Sequence, residues 1–160
     1  MAVDVTFINA FLESLLNVLS TMAQTDAKHK TPVLKKDNIA RGDVTGIIGM
    51  VGNQVIGSMS ITFSEPAIIE ITARMLGEEV KKIDDTVTDM VGEITNIVTG
   101  GAKKLLADHG HDFNMATPTV VTGKNHEISH KSQEKVIHIP FESDVGPFYV
   151  EVSFDAVRGS

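Results

Sequence analysis

The chain has no cysteine and no tryptophan, a single tyrosine, and five prolines in 160 residues. Without cysteine it can build neither a disulfide framework nor a thiolate zinc site, which accords with a reducing cytoplasm. So few aromatics give little with which to stack bases or sugars. The net charge of -7 repels nucleic-acid phosphates, and the basic residues are scattered as the pairs Lys35-Lys36, Lys81-Lys82 and Lys103-Lys104. No run approaches eighteen uninterrupted apolar residues, so a membrane span is not expected. Residues 1–24 lack the basic start of a signal peptide, and Asn9, Glu13, Ser14 and Asn17 interrupt their apolar positions. Nucleic acid and membrane insertion are thereby set aside, leaving a protein partner or a small anionic group.

The length suits one domain that buries roughly two thirds of its unfolded surface. It is expected over 1–156, with 157–160 as a tail. Phe7, Ile8, Phe11, Leu15, Leu19 and Met22 recur at helical spacing and predict an amphipathic helix over about 5–24. Extended segments follow at 31–37, 44–51 and 55–63, the last alternating apolar and polar positions so that one face is buried, with a turn at Gly52-Asn53. Ser64 is placed to cap a short helix over 65–76 that Gly77 stops. Asp84 or Asp85 caps a longer helix running to about His109, closed by Gly110. Strands at 117–122, 136–141 and 148–154 complete the chain. The resulting fold class is α+β, with a mainly antiparallel six-stranded sheet, helices packed on it, and two similar halves of one helix plus three strands.

On the long helix, Ile83, Val87, Met90, Val91, Ile94, Ile97, Val98 and Leu105 form one broad apolar stripe that predicts core. Asp89, Glu93 and Asn96, at i, i+4 and i+7, share the opposite side. Gly100 falls on that side and Gly92 at its margin, so the surface around the acid and the amide is low. Glycines at 100 and 101 cost a helix interior roughly 1 kcal/mol each relative to alanine. Close approach by a partner is one reason for them. Periodicity alone is also satisfied by a solvated helix face, with the glycines marking a break between two helices.

The spacing Asp89, Glu93, Asn96, Pro118 resembles the signature of the CheX/CheC/FliY chemotaxis phosphatases, (Asp/Ser)-x3-Glu-x2-Asn-x21-Pro, without insertion or deletion. Gly92-Glu93-Ile94 and Gly100-x-Ala102-Lys103 also resemble family text. A four-residue match of this kind arises by chance roughly once in a thousand such chains, which makes it specific. The resemblance implies a CheC-like fold and hydrolysis of the aspartyl phosphate on a CheY-like response-regulator receiver. Glu93 and Asn96 would be the catalytic pair, and Asp89, Gly92 and Gly100 would touch the partner. No cofactor of its own is implied; Mg²⁺ is expected on the receiver. No glutamate other than Glu93 has an asparagine three residues on, and Glu13 is followed by Leu16. One site per chain resembles CheX, whose members tend to form homodimers through sheet edges. An alternative with the same fold is a non-catalytic receiver-binding or flagellar-switch module.

A second motif competes. His126-Glu127-Ile128-Ser129-His130 spells H-E-x-x-H, the zinc metallopeptidase pattern, in which two histidines one helical turn apart bind metal and the glutamate serves as base. Chance supplies such a string roughly once in seventy chains of this composition. Its flanks, Thr122-Gly123-Lys124-Asn125 and Lys131-Ser132-Gln133, are polar and turn-forming, so the expectation is a hairpin loop holding no catalytic metal. His109, His111 and Asp112, at the end of the long helix, read as surface groups.

Overall fold

The computed structural model describes residues 5–53, 55–130 and 135–156, so the expected 157–160 tail lies outside the described residues. Three helices, α1 (Val5–Ala23), α2 (Glu65–Leu76) and α3 (Asp85–Ala107), accompany eight strands. These are β1 (Ala27–His29), β2 (Val33–Lys35), β3 (Val44–Gly52), β4 (Val55–Phe63), β5 (Phe113–Met115), β6 (Thr119–Thr122), β7 (Val136–Ser143) and β8 (Phe148–Ala156). All pair antiparallel in a single sheet of order β1-β7-β8-β4-β3-β5, with β2 also on β7 and β6 also on β3.

The six strands expected from the pattern are present as β2, β3, β4, β6, β7 and β8, and two short strands that the pattern did not mark, β1 and β5, extend the two edges. β1 and β2 lie end to end along β7, and β5 and β6 lie end to end along β3. Pro32 falls in the first gap and Pro118 in the second. Proline has no N–H to donate to a ladder and survives in sheets only at edges and breaks. Each half therefore consists of a helix, a broken edge strand and two long strands, with α2 between the halves.

One face of the sheet carries the helices. Phe11, Leu15 and Leu19 of α1, Val91 and Ile94 of α3, and Met59, Phe63, Phe141 and Phe148 of the sheet meet in one apolar core, each almost fully buried. α1 is long and apolar enough by composition to cross a membrane, but its apolar face is packed inside this core. Burying each such side chain contributes roughly 1.5–3 kcal/mol.

The opposite face departs from the expected pattern. Rather than being open to solvent, Ser58, Ser60 and Thr62 of β4 are at most 1% exposed. The segment from Gly123 to His130 crosses this face instead of forming a hairpin loop, because β6 belongs to β3 and β7 to the other end of the sheet. It runs extended against residues 38–40, with Ala40 N–H donating to His126 O and Ile128 N–H to Asn38 O. His126 Nε2 shares a hydrogen bond with Thr45 Oγ1, and His130 Nδ1 with Ser58 Oγ at 2.7 Å. The H-E-x-x-H string thus lacks the helix that its metal-binding form requires. His111 packs its ring against Phe7, and Asp112 pairs with Lys103 at 3.6 Å.

Two helix termini also differ in detail. The Ser64 hydroxyl donates to Pro147 O at 2.9 Å instead of capping α2, and the first helical N–H, that of Glu65, goes to Asp43 Oδ2 at 2.7 Å. α3 ends at Ala107, short of His109, with a tight turn leading to Gly110 at φ 81°.

Under the crossing segment sits a buried charge cluster. Glu151 accepts from Lys35 Nζ at 2.6 Å and pairs with His138 Nδ1 at 2.8 Å and His130 Nε2 at 3.2 Å. The side chains of Glu151, Lys35 and His130 are 2–3% exposed. Burial opposes ionisation of Glu151, but hydrogen bonds from His130, His138 and Lys35 outweigh it and hold the carboxyl well below the usual carboxylate range. A carboxyl with a depressed folded pKa gives stability that is fully present above its unfolded value of about 4.3 and is lost only as the pH falls toward the folded one. Glu151→Gln leaves Lys35 buried without its counter-charge and is expected to cost about 3 kcal/mol at neutral pH, read from urea unfolding. The difference from wild type should be flat above pH ~5 and shrink in more acidic solution. An unchanged unfolding midpoint would contradict this account of the cluster.

Candidate functional site

The Asp84 carboxylate accepts the Val87 N–H at 3.2 Å and caps α3, fixing where its first turn begins. From there Val87, Val91, Ile94, Val98, Ala102 and Leu106 face the core at no more than 1% exposure. Met90, Ile97 and Leu105 of the expected stripe are only half-buried at its margins. Thr95 and Thr99 are fully buried within it, their hydroxyls donating to Val91 O and Thr95 O at 2.7 and 2.8 Å. With the apolar side committed inward, Asp89, Glu93 and Asn96 are exposed along the other side.

α1 grips the same helix. Ser14 Oγ, buried, donates to Val98 O at 2.7 Å. The approach is possible because position 101 is glycine; a Cβ there would collide with that hydroxyl. A Cβ at Gly100 would meet nothing within 4 Å. The two adjacent glycines therefore have different causes: the fold needs Gly101, and nothing within the described chain needs Gly100.

Asp89, Gly92, Glu93 and Asn96 line one wall of an open groove of about 490 Å³. The facing wall is the edge break, contributed by Met115, Ala116, Thr117 and Pro118, with Val120 of β6 beside it. Pro118 lies in the break between β5 and β6, both of which stay paired to β3 beside the helix. Gly92 keeps the groove low at Val120, its Cβ position lying 3.5 Å from Val120 Cγ2. The structure thus brings together Asp89, Gly92, Glu93, Asn96 and Pro118, and places Gly100 outside the groove, one turn beyond Asn96 on the same side. Thr88, Met115, Ala116, Thr117 and Val120 were not anticipated, although a proline inside an apparent edge strand was the available signal. Among the described residues, the side chains of Asp89, Glu93 and Asn96 make no hydrogen bond or ion pair, so their polar groups are open to a partner. No group of three histidine, aspartate or glutamate side chains among the described residues has metal-holding geometry.

The helix-backed antiparallel sheet is the fold of the CheC-like superfamily. A solved CheC-like superfamily protein from Shewanella sp. PV-4 is 59% identical, with a TM-score of 0.89 over 96% of this chain and 99% of that one. The chain belongs to the chemotaxis phosphatase CheX family, whose model matches residues 44–142 and so spans the whole groove. The CheY-P phosphatase CheX of Thermotoga maritima is 25% identical over 138 residues, covering 86% of this chain and 87% of its own length. The structure of a CheX-CheY-BeF3-Mg²⁺ complex from Borrelia burgdorferi matches with 26% identity and a TM-score of 0.77, over 92% of this chain and 97% of that one.

The paired glycines generate a stability test. Gly100→Ala is expected to stabilise the protein by up to about 1 kcal/mol, since alanine is the better helix former and has room. Gly101→Ala should destabilise it by roughly 1–3 kcal/mol through overlap with Ser14. Thermal unfolding that moves both variants in the same direction would rule out this division.

Proposed function

We propose that this chemotaxis phosphatase hydrolyses the aspartyl phosphate of a CheY-like receiver by aiming a water molecule with Asn96 while Glu93 holds the receiver's active-site lysine. The observation that carries the reading is the exposure of both side chains, one turn apart, on a helix wall that is capped, core-packed and gripped by α1. The activity in the name of the Thermotoga maritima relative, and the CheY-bound structure of the Borrelia burgdorferi one, support a phosphorylated receiver as the partner.

An acyl phosphate already has a good leaving group, so the reaction needs a water in line with the breaking P–O bond more than it needs strong proton abstraction. A carboxamide both donates and accepts, and so can orient that water without placing negative charge against a phosphoryl dianion. A carboxylate at position 96 would repel it. Glu93, one turn back, is suited to a charge-assisted hydrogen bond with a lysine, which fixes the register of the two proteins. Asp89 and the low surface at Gly92 extend the docking face, and Gly100 gives room for the partner's approach. The phosphatase supplies no cofactor; Mg²⁺ belongs to the receiver, where it neutralises phosphoryl charge when bound. Such receivers are intracellular, so the proposed location is the cytoplasm. The proposed assembly is a homodimer through a sheet edge, supported by Val33 and Leu34 standing half-exposed on edge strand β2.

Asn96→Ala is expected to lower phosphate release roughly 10²-fold while leaving receiver affinity within a few-fold of wild type. Glu93→Ala should weaken binding about tenfold and slow release as well. Phosphate release from a phosphorylated receiver, with the phosphatase at catalytic amounts, separates turnover from simple binding. Wild-type rates in Asn96→Ala would remove the basis of the mechanism. Gly100→Ala should raise KM for the receiver despite its greater stability, and an unchanged KM would place Gly100 outside the docking face.

A further inference from the structure

Glu93 and Asn96 lie on either side of Thr95, and Thr95 packs directly against the sheet. Opposite it, near the start of β3, stands Gly46. A Cβ at this position would collide with Thr95 Oγ1 and lie 3.2 Å from Thr95 Cβ and 3.1 Å from Val91 Cγ1. The Thr95 hydroxyl cannot swing aside freely. It is fully buried and donates to Val91 O at 2.7 Å, so turning it away strands a donor in the core. Glycine inside a strand is disfavoured and marks a place where another segment approaches closely.

Gly46 also reaches the facing wall. In the ladder it is the register partner of Val120 on β6, and Val120 lines the groove. The same residue thus meets the helix wall through its missing side chain and the strand wall through its backbone. Across the groove the walls are already close, with the Cβ position of Gly92 only 3.5 Å from Val120 Cγ2.

We propose that Gly46 is a positioning residue for the phosphatase site: it sets the separation between the α3 wall bearing Glu93 and Asn96 and the wall formed by residues 116–120. The inference rests on the role given to Asn96 above. A methyl group at position 46 lifts α3 by about an ångström while β6 stays in register with β3. The docking surfaces persist, but the carboxamide no longer points the water along the P–O axis, and a misplacement of that size costs roughly 10²-fold in rate.

Steady-state phosphate release from a CheY-type receiver charged with acetyl phosphate tests this. Gly46→Ala is expected to lower kcat roughly 10²-fold, with KM within a few-fold of wild type. Adding Thr95→Ala removes the colliding oxygen and should restore kcat to within about tenfold of wild type. Adding Thr95→Ser instead keeps the hydroxyl and should restore nothing. Wild-type kcat in Gly46→Ala, or equal rescue by serine and alanine, overturns the proposal. If Gly46→Ala alone is too unstable to purify, a folded and active Gly46→Ala/Thr95→Ala protein supports it. A double variant that is folded but inactive, or that also fails to fold, overturns it. Asn96→Ala measured alongside keeps the two ideas apart: full activity there refutes the site, whereas loss there with a normal Gly46→Ala refutes only the positioning.

Discussion

The site depends on how closely α3 is seated against its neighbours. Apolar burial supplies most of the attraction between that helix and the sheet, but burial is non-directional and tolerates small slides and rotations. What removes the slack is a set of short contacts made possible by small residues. Thr95 seats against Gly46, and Ser14 reaches past Gly101 to the Val98 carbonyl at 2.7 Å. These contacts lie within about two turns of Asn96 and fix its helix in translation and rotation. An exposed amide on a surface helix would otherwise sample too many directions to aim anything. Here the side chain is free and its Cα is not.

The opposite wall is built by a different device, the interruption of an edge strand at a proline. Both halves use it, at Pro32 and at Pro118, which is why two edge strands appear as four short ones. An unbroken edge is a template for unwanted pairing, so the breaks also blunt the sheet. At the second break α3 packs alongside β5 and β6 and offers a carboxylate and a carboxamide to the gap. α1 packs chiefly on α3 and α2, and Glu13 is followed at the corresponding spacing by Leu16. The broken edge strand occurs twice, but the glutamate and asparagine at this spacing only once.

Much of this was legible in advance, and the limits of legibility have physical causes. Helical periodicity located α1, α2 and α3 because each buries one stripe against a common core. The outward placement of Asp89, Glu93 and Asn96 followed from the same period. The family came from spacing matched to a known signature, which periodicity alone does not supply. What periodicity misses is burial that depends on a distant segment. β4 alternates apolar and polar residues as a half-exposed strand does, yet Ser58, Ser60 and Thr62 are covered by a stretch some seventy residues further on. Glu151, which alternation alone would place at the surface, is instead the centre of a buried charge cluster. Ser64 has the composition of a cap, but its hydroxyl is turned to Pro147 O, and Asp43, held beside the helix start by the β3–β4 pairing, accepts the Glu65 N–H instead.

The two motifs in this chain show why a spacing has meaning only together with a secondary structure. Glu93 and Asn96 are three apart on a helix, where that interval places side chains as neighbours on one surface. His126 and His130 are four apart, an interval that serves equally well on a helix. In the extended segment that the chain adopts, four residues span roughly 13 Å. The imidazoles accordingly reach different strands, His126 to Thr45 on β3 and His130 to Ser58 on β4. Two zinc ligands each need a nitrogen about 2 Å from one ion, a requirement that helix geometry meets and this conformation does not. Both rings are instead used to fasten the crossing segment to the sheet. The same residues that would make a peptidase on a helix make a clasp here, and the polar flanks that kept them from being helical decided between the two.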